Sequence, residues 1–156
     1  MGLFRRLGVR GTVVAALLGL VAGSGAYTFV YAQGHSYLSS DPDVCVNCHV
    51  MRAEHDSWQK ASHHGHAVCV DCHIPHDLPE KLLVKAENGF WHSLRFTLQN
   101  YPDPIRIRPK NRDVLVANCL RCHGDFVAHV NEGGAEEPGA LACLRCHMSV
   151  GHGPTR

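Results

Sequence analysis

Large apolar side chains are scarce in this 156-residue chain once its N-terminal stretch is set aside. Beyond residue 32, Leu, Ile and Val are too few to bury an ordinary core, so an interior made of polypeptide alone is excluded. A charge excess of one sign is also lacking. Lys and Arg number 15 against 14 Asp and Glu, a formal net charge of +1 at pH 7. Without a basic excess the chain has no electrostatic footprint for nucleic acid. No nucleophile–base pattern and no glycine-rich phosphate loop occurs, which removes the common hydrolytic and nucleotide chemistries. What the chain has in excess is cysteine and histidine, 8 and 13 residues.

The cysteines are all used in one pattern. Cys45-Val46-Asn47-Cys48-His49 is a C-x-x-C-H motif, and it recurs at Cys69–His73, Cys119–His123 and Cys143–His147. This is the attachment signature of c-type haem: two thioethers fix the porphyrin and the next histidine points at the iron. Zinc ribbons and redox sites also use C-x-x-C, but they do not require a histidine after the second cysteine. The competing reading is two zinc-type sites in a structural protein, and the four histidines argue against it. No cysteine remains for a disulfide. Four haems would supply the missing apolar interior, and their propionates would make the holoprotein more acidic than the chain. The first two motifs are 24 residues apart and so are the last two, which reads as two di-haem units and a plausible duplication.

The expected fold is mainly α with extensive loops: one N-terminal transmembrane helix followed by a compact multihaem cytochrome c domain. The expected boundaries are residues 1–34 for the cytoplasmic end and anchor and 35–156 for the tetrahaem domain. The latter divides into a di-haem unit at 41–78, a linking helix and loop at 79–113, and a di-haem unit at 114–156. Arg5, Arg6 and Arg10 precede Gly11–Ala32, 22 residues without a charge. At about 1.5 Å per residue this run spans roughly 33 Å, enough to cross a hydrocarbon core of about 30 Å. The arginines place the N-terminus in the cytoplasm and the haem domain outside the cytoplasmic membrane, and Tyr27 and Tyr31 suit the far interface. A cleaved signal peptide with Ser24-Gly25-Ala26 as its site is the rival, but the apolar run continues past it. Either way the C-terminal part is exported.

Gln33–Val44 is a short connector, so the first motif lies within a few residues of the membrane exit. A redox centre there can exchange electrons with a lipid-soluble carrier. Asp77 and Glu80 with Pro79 read as a D-x-x-E helix start. A helix is expected from about Pro79 to Gln99, with Leu83, Phe90, Leu94 and Leu98 as one apolar stripe. Lys85 and His92 share a face of it with Gly89 between them. Phe90, Trp91 and Phe96 make it a candidate for lying on the membrane surface. Arg106, Arg108, Lys110 and Arg112 fall in an expected loop, either solvated or paired with haem propionates or an acidic partner. Residues 125–139, with Gly133-Gly134 and Glu136-Glu137-Pro138, read as a surface loop, and 151–156 as a tail.

Each iron takes two axial ligands. His49, His73, His123 and His147 are the motif candidates, and Met51 is a second candidate at the first iron. His66 and His152 are too close to a motif to reach the far side of its own haem. His64 and His152 are better placed to ligate a neighbouring haem and so lock the haems into a cluster. His35, His55, His63 and His129 read as surface or propionate-contacting residues, and His76 as a hydrogen-bonded structural one.

One N-terminal anchor, four C-x-x-C-H motifs, C-H-x-M at Cys48–Met51 and C-H-x-P-H at Cys72–His76 together resemble the NapC/NirT/NrfH family of membrane-anchored multihaem quinol dehydrogenases. The short tetrahaem form is most similar to the small subunit of cytochrome c nitrite reductases. The resemblance implies four haem c groups on Cys45, Cys48, Cys69, Cys72, Cys119, Cys122, Cys143 and Cys146. It implies Met51 rather than His49 at the first iron, a partner-supplied second ligand opposite His73, and the pairs His123–His152 and His147–His64. Lys85 matches a lysine near the quinol site. Where some relatives carry Asp, this chain has His92, which can ligate the first iron when neutral. The implied function is menaquinol oxidation with electrons passed to a periplasmic multihaem nitrite reductase (ammonia-forming) in a hetero-oligomeric complex; the nitrite chemistry belongs to that catalytic subunit. The alternatives are a donor to another periplasmic reductase, such as one for nitrate, and a tethered electron carrier without a quinol site.

Overall fold

A computed structural model describes residues 2–131 and 143–153. Among the described residues all regular structure is helical. The helices are α1 (Gly2–Tyr31), α2 (Arg52–Trp58), α3 (Cys69–His73), α4 (Glu80–Leu98), α5 (Pro109–Asn131) and α6 (Cys143–Cys146). Three 3₁₀ turns, Gly34–Leu38, Pro42–Asn47 and His49–Met51, lie between α1 and α2. The chain forms two compact units, divided after Ser36.

In the first unit, Gly8–Tyr31 is 24 residues long, apolar enough to cross a membrane, and has no buried residue. Two of its hydroxyl side chains turn back onto the helix: Thr12 Oγ1 donates to Gly8 O (3.0 Å) and Ser24 Oγ to Leu20 O (2.8 Å). Each hydroxyl is thereby satisfied without leaving the helix, as a lipid-facing position requires. Below the span, Gly8 breaks the helical geometry with φ 61° and ψ 172°, a conformation that favours glycine. At the far end Tyr27 and Tyr31 stack at 5.8 Å. Gly34 lies close against the Phe29 ring, so a side chain there would force that ring to shift.

In the second unit the polypeptide supplies little interior of its own. Among the described residues, Ile74 and Val84 are its buried large apolar residues, joined by Lys85, Asn88 and Asn118. Among the described residues no large side chain is fully buried, and Phe126 and Met148 are well exposed. α3 packs against α5. Asn118 on α5 clamps that contact: its Nδ2 donates to Cys72 O (2.9 Å) and Ile74 O (3.0 Å), two carbonyls at the C-terminal end of α3. An unmet buried carbonyl costs about 1–3 kcal/mol, so the clamp holds the second motif against the third.

α4 begins at Glu80 rather than Pro79 and ends at Leu98, with Gln99 in the left-handed region (φ 53°). The D-x-x-E reading is corrected here. Pro79 is the N-cap and carries no side-chain cap bond; Asp77 instead contributes its backbone carbonyl, which accepts from Lys81 N (2.8 Å). The expected apolar stripe faces outward: Leu83 is 66% exposed and Phe90 61%. The packed face is Val84, Lys85 and Asn88, because that side has polar partners. Arg108 Nη2 and Asn111 Nδ2 both donate to Asn88 Oδ1 at 3.0 Å. Arg108 also pairs with Glu87 at 3.3 Å, and Lys110 pairs with the same carboxylate. Two of the loop cations are therefore matched within the chain.

α5 overrides the sequence boundaries on both sides of the third motif. It starts at Pro109, inside the expected basic loop, and runs to Asn131, inside the expected surface loop. Proline at the first turn sacrifices a bond that no helix makes there, and neither Phe126 nor Val127 interrupts the helix. The expected glycine- and glutamate-rich loop at 133–138 lies outside the described residues.

Candidate haem ligands and the Tyr37–Lys85–His92 cluster

The four motifs sit on short, separately anchored pieces of backbone. Cys45 belongs to the turn Pro42–Asn47, capped by Asp41, whose Oδ1 accepts from Asp43 N (2.9 Å). The second motif is α3, where Asp71 Oδ2 accepts from Val68 N (2.9 Å). The third lies within α5, and the fourth is α6 together with His147. All eight thiols are free. They adjoin in chain order. The Cys69 thiol beside it lowers Cys45, and Cys45 in turn raises Cys69. Burial raises the Cys72 thiol and neighbouring Cys122 adds to it; burial likewise raises Cys119, beside Cys143 and Cys72. Each motif thus has a cysteine beside one of the next motif.

The histidines pair across the second unit. The His73 and His152 rings are 6.0 Å apart, and the His63 and His123 rings 6.1 Å. Metal–imidazole bonds of about 2 Å put two trans rings roughly 6 Å apart. In each pair the non-motif ring is held through Nδ1, as iron-ligating histidines commonly are. His152 Nδ1 lies 3.1 Å from Glu54 O and 3.2 Å from Ser57 Oγ. His63 Nδ1 lies 3.1 Å from Val150 O. In both cases Nε2 is left for a metal. Burial, with His152 and His92 nearby, pushes His73 down to about 4, so its ring is neutral at pH 7.

These neighbours differ from the pairs His123–His152 and His147–His64. The ring beside His123 is His63, while His64 turns edge-on to Trp58 at 4.5 Å. His152 stands beside His73. The cause is the C-terminal turn, which folds back onto α2 and the segment after it. Val150 O accepts from His63 N (3.2 Å), and Gly153 N donates to Ser57 O (2.9 Å). Gly153 has no room to spare there: a Cβ would lie 3.0 Å from Ser57 O. Gly153→Ala is therefore expected to lower stability by about 1–3 kcal/mol. Thermal unfolding of the haem-loaded protein checks this, and an unchanged Tm would show the turn is not pinned at this point.

Of the other candidates, Met51 closes the turn His49–Met51 and is half-buried. The His49 ring meets Phe96 of α4 edge-on at 5.9 Å. His55 lies beside Asp43 (3.3 Å) and against Trp58 (5.5 Å). His76 Nε2 is 3.2 Å from Asp71 O. His35 and His66 are exposed. His129 lies on α5, and the side chain of His147 is exposed.

α4 meets the segment before the first motif along the face that carries Lys85, Gly89 and His92. Lys85, 7% exposed, donates from Nζ to Ser39 O (2.9 Å) and Leu38 O (3.2 Å). The Tyr37 ring lies over Gly89, and its hydroxyl is 3.2 Å from His92 Nδ1. Burial, with the Cys48 and Cys45 thiols nearby, pushes Tyr37 up to about 12. Burial lowers Lys85, with Lys81 adding to it. His92 is exposed as a residue, but enclosure of its ring lowers it below the ordinary histidine value, with Arg108 contributing. Sequence reasoning missed Tyr37. Its only local cue was its place in the connector ahead of the first motif.

The donor set fits covalent haem: paired free thiols, a histidine after each pair, imidazole pairs at the right separation, and a small polypeptide core. A helix fit for the bilayer joined to such a cluster defines the class as a membrane-anchored multihaem cytochrome c. The chain belongs to the NapC/NirT cytochrome c family, whose N-terminal region matches residues 8–156. It is 37% identical over 144 residues to the cytochrome c-type protein NrfH of Wolinella succinogenes, covering 82% of this chain and 80% of that protein. It is 33% identical over 137 residues to the cytochrome c nitrite reductase subunit NrfH of Nitratidesulfovibrio vulgaris, covering 88% and 79%. Among solved structures it is similar to a chain of the cytochrome c nitrite reductase NrfHA complex bound to the inhibitor HQNO. There the TM-score is 0.61 and the identity 26%, over 93% of this chain and 92% of that one.

Proposed function

We propose that this chain is the membrane-anchored, quinol-oxidising subunit of an ammonia-forming cytochrome c nitrite reductase. It takes electrons from menaquinol and passes them to a periplasmic multihaem catalytic subunit of the NrfA kind. The observation that carries the reading is the Tyr37–Lys85–His92 cluster beside the first motif, in a chain that matches NrfH proteins over most of its length. The orientation follows from Arg5, Arg6 and Arg10: N-terminus inside, second unit outside. The exposed apolar side of α4, with Leu82, Leu83, Phe90 and Leu98, then suits the membrane surface where a quinol arrives.

In this reading Cys45, Cys48, Cys69, Cys72, Cys119, Cys122, Cys143 and Cys146 hold four haems. When bound, the haems supply one-electron acceptors that take the two electrons of a quinol singly. Met51, preferred over His49, would hold the first iron, and His92 would either help hold it or lie near it. The ring separations favour His73 with His152, and His123 with His63, as the residues that would hold two further irons. The second ligand for the iron that His147 would hold would then come from the partner subunit, since His64 is turned to Trp58. The chain's own residues manage the protons. Where it is not held by the iron, His92, neutral near pH 7, accepts one from a quinol hydroxyl. Lys85 commits two N–H groups to Leu38 and Ser39 and has one left for a quinol oxygen.

Stopped-flow haem reduction by a menaquinol analogue tests this on detergent-purified protein, with and without HQNO. Fast, inhibitor-sensitive reduction is expected. Four intact haems that menaquinol does not reduce would leave a tethered electron carrier instead.

A further inference from the structure

The connector before the first motif contributes more than length. Lys85 ties its Leu38 and Ser39 carbonyls to α4, and both bonds come from a lysine that is 7% exposed. That tether sets the height of Tyr37 against the helix. The ring then lies over Gly89, where a Cβ would meet it at 3.6 Å, and the hydroxyl reaches His92 Nδ1 at 3.2 Å. The two rings are tilted by 46° with centroids 6.2 Å apart, so the contact is a hydrogen bond rather than a stack. An imidazole presents two nitrogens, and fixing one decides what the other offers.

We propose that Tyr37 is a positioning residue: its hydroxyl engages His92 Nδ1, so that Nε2 is the nitrogen His92 presents at the first haem and its quinol. The inference rests on the quinol-oxidising reading above and deepens it. Without the hydroxyl, the ring of His92 is free to rotate about its side-chain bonds, and either nitrogen can face the site. For Nε2 to keep its lone pair toward the site, the hydrogen of neutral His92 sits on Nδ1 and the Tyr37 hydroxyl accepts from it. Nothing in the chemistry passes through Tyr37 itself: burial holds it as the phenol, and its part is orientation.

The test is Tyr37→Phe in the haem-loaded, full-length protein, read two ways. Low-temperature EPR of the oxidised protein reports the environment of each haem. The expected result is an altered signal from one haem out of four, with all four retained. Menaquinol-analogue kinetics report the second readout, an expected fall of about tenfold in kcat with KM little changed. His92→Ala and the double variant complete a cycle, because residues that act as one unit are non-additive. Tyr37→Phe is expected to add nothing once His92 is gone. An unchanged EPR spectrum, or a full additive loss in the double variant, overturns the proposal. Failure of the quinol reading has a different signature: the unsubstituted protein itself fails to oxidise quinol, and the EPR comparison still decides the role of Tyr37.

Discussion

His152→Ala is expected to convert one low-spin haem to high spin, and His63→Ala to do the same to a different haem, while His64→Ala leaves the spectrum as it was. The separation of the rings sets this order. His152 stands 6.0 Å from His73 and His63 stands 6.1 Å from His123. His64 is turned edge-on to Trp58 and is exposed. The hydrogen bonds point the same way. Glu54 O and Ser57 Oγ hold His152 at Nδ1, and Val150 O holds His63 at Nδ1. A ring fixed so is ready to ligate through Nε2, and losing such a ligand leaves a five-coordinate, high-spin iron. EPR at low temperature, with near-infrared magnetic circular dichroism to identify the ligand type, measures the outcome. Loss of a low-spin signal in His64→Ala, with His63→Ala silent, would restore the pairing that the family resemblance implied.

The contrast between His63 and His64 shows where the sequence stops being legible. The four motifs, the apolar span of α1 and the existence of α4 are local patterns: a fixed five-residue motif, an uncharged run, a helical period. Each was readable before any contact was known. The choice between two adjacent histidines is not local. It is made by Val150, 87 residues away, and the placement of His152 by Ser57, 95 residues away. No periodicity carries information across such a distance. Nor does the outward turn of Leu83 and Phe90 follow from their spacing, since a stripe defines a face without saying which face packs. Here the polar side packs, because Arg108, Asn111 and the Leu38 and Ser39 carbonyls supply partners for Asn88 and Lys85. The misread start of α4 has a similar source. Asp77 fits a capping pattern, yet Pro79 takes the N-cap position and the aspartate serves only through its carbonyl. Lys85 and His92 were legible as a shared face; the tether and the tyrosine that fix them there were not.

His92→Ala is expected to slow the oxidation of menaquinol by roughly 10²-fold, the lower part of the range for losing a general base, with all four haems still attached. The magnitude follows from what is removed. Enclosure of the ring lowers His92 below the ordinary histidine value, so it is neutral near pH 7 and able to take a proton. Its structural cost is small, because the residue is exposed and its recorded partner is the Tyr37 hydroxyl. Lys85→Ala is a poorer probe of the same chemistry. Lys85 holds two backbone carbonyls of the connector, so its loss loosens Tyr37 and with it His92, and the rate then reports folding and catalysis together. His92→Ala separates the two. Single-turnover reduction of the haems by a menaquinol analogue, alongside a haem count and a thermal melt, is the measurement. A large fall in rate with an unchanged melt places His92 in the proton transfer. An unchanged rate removes it from the mechanism and leaves the third ammonium proton of Lys85 as the polar group nearest the quinol.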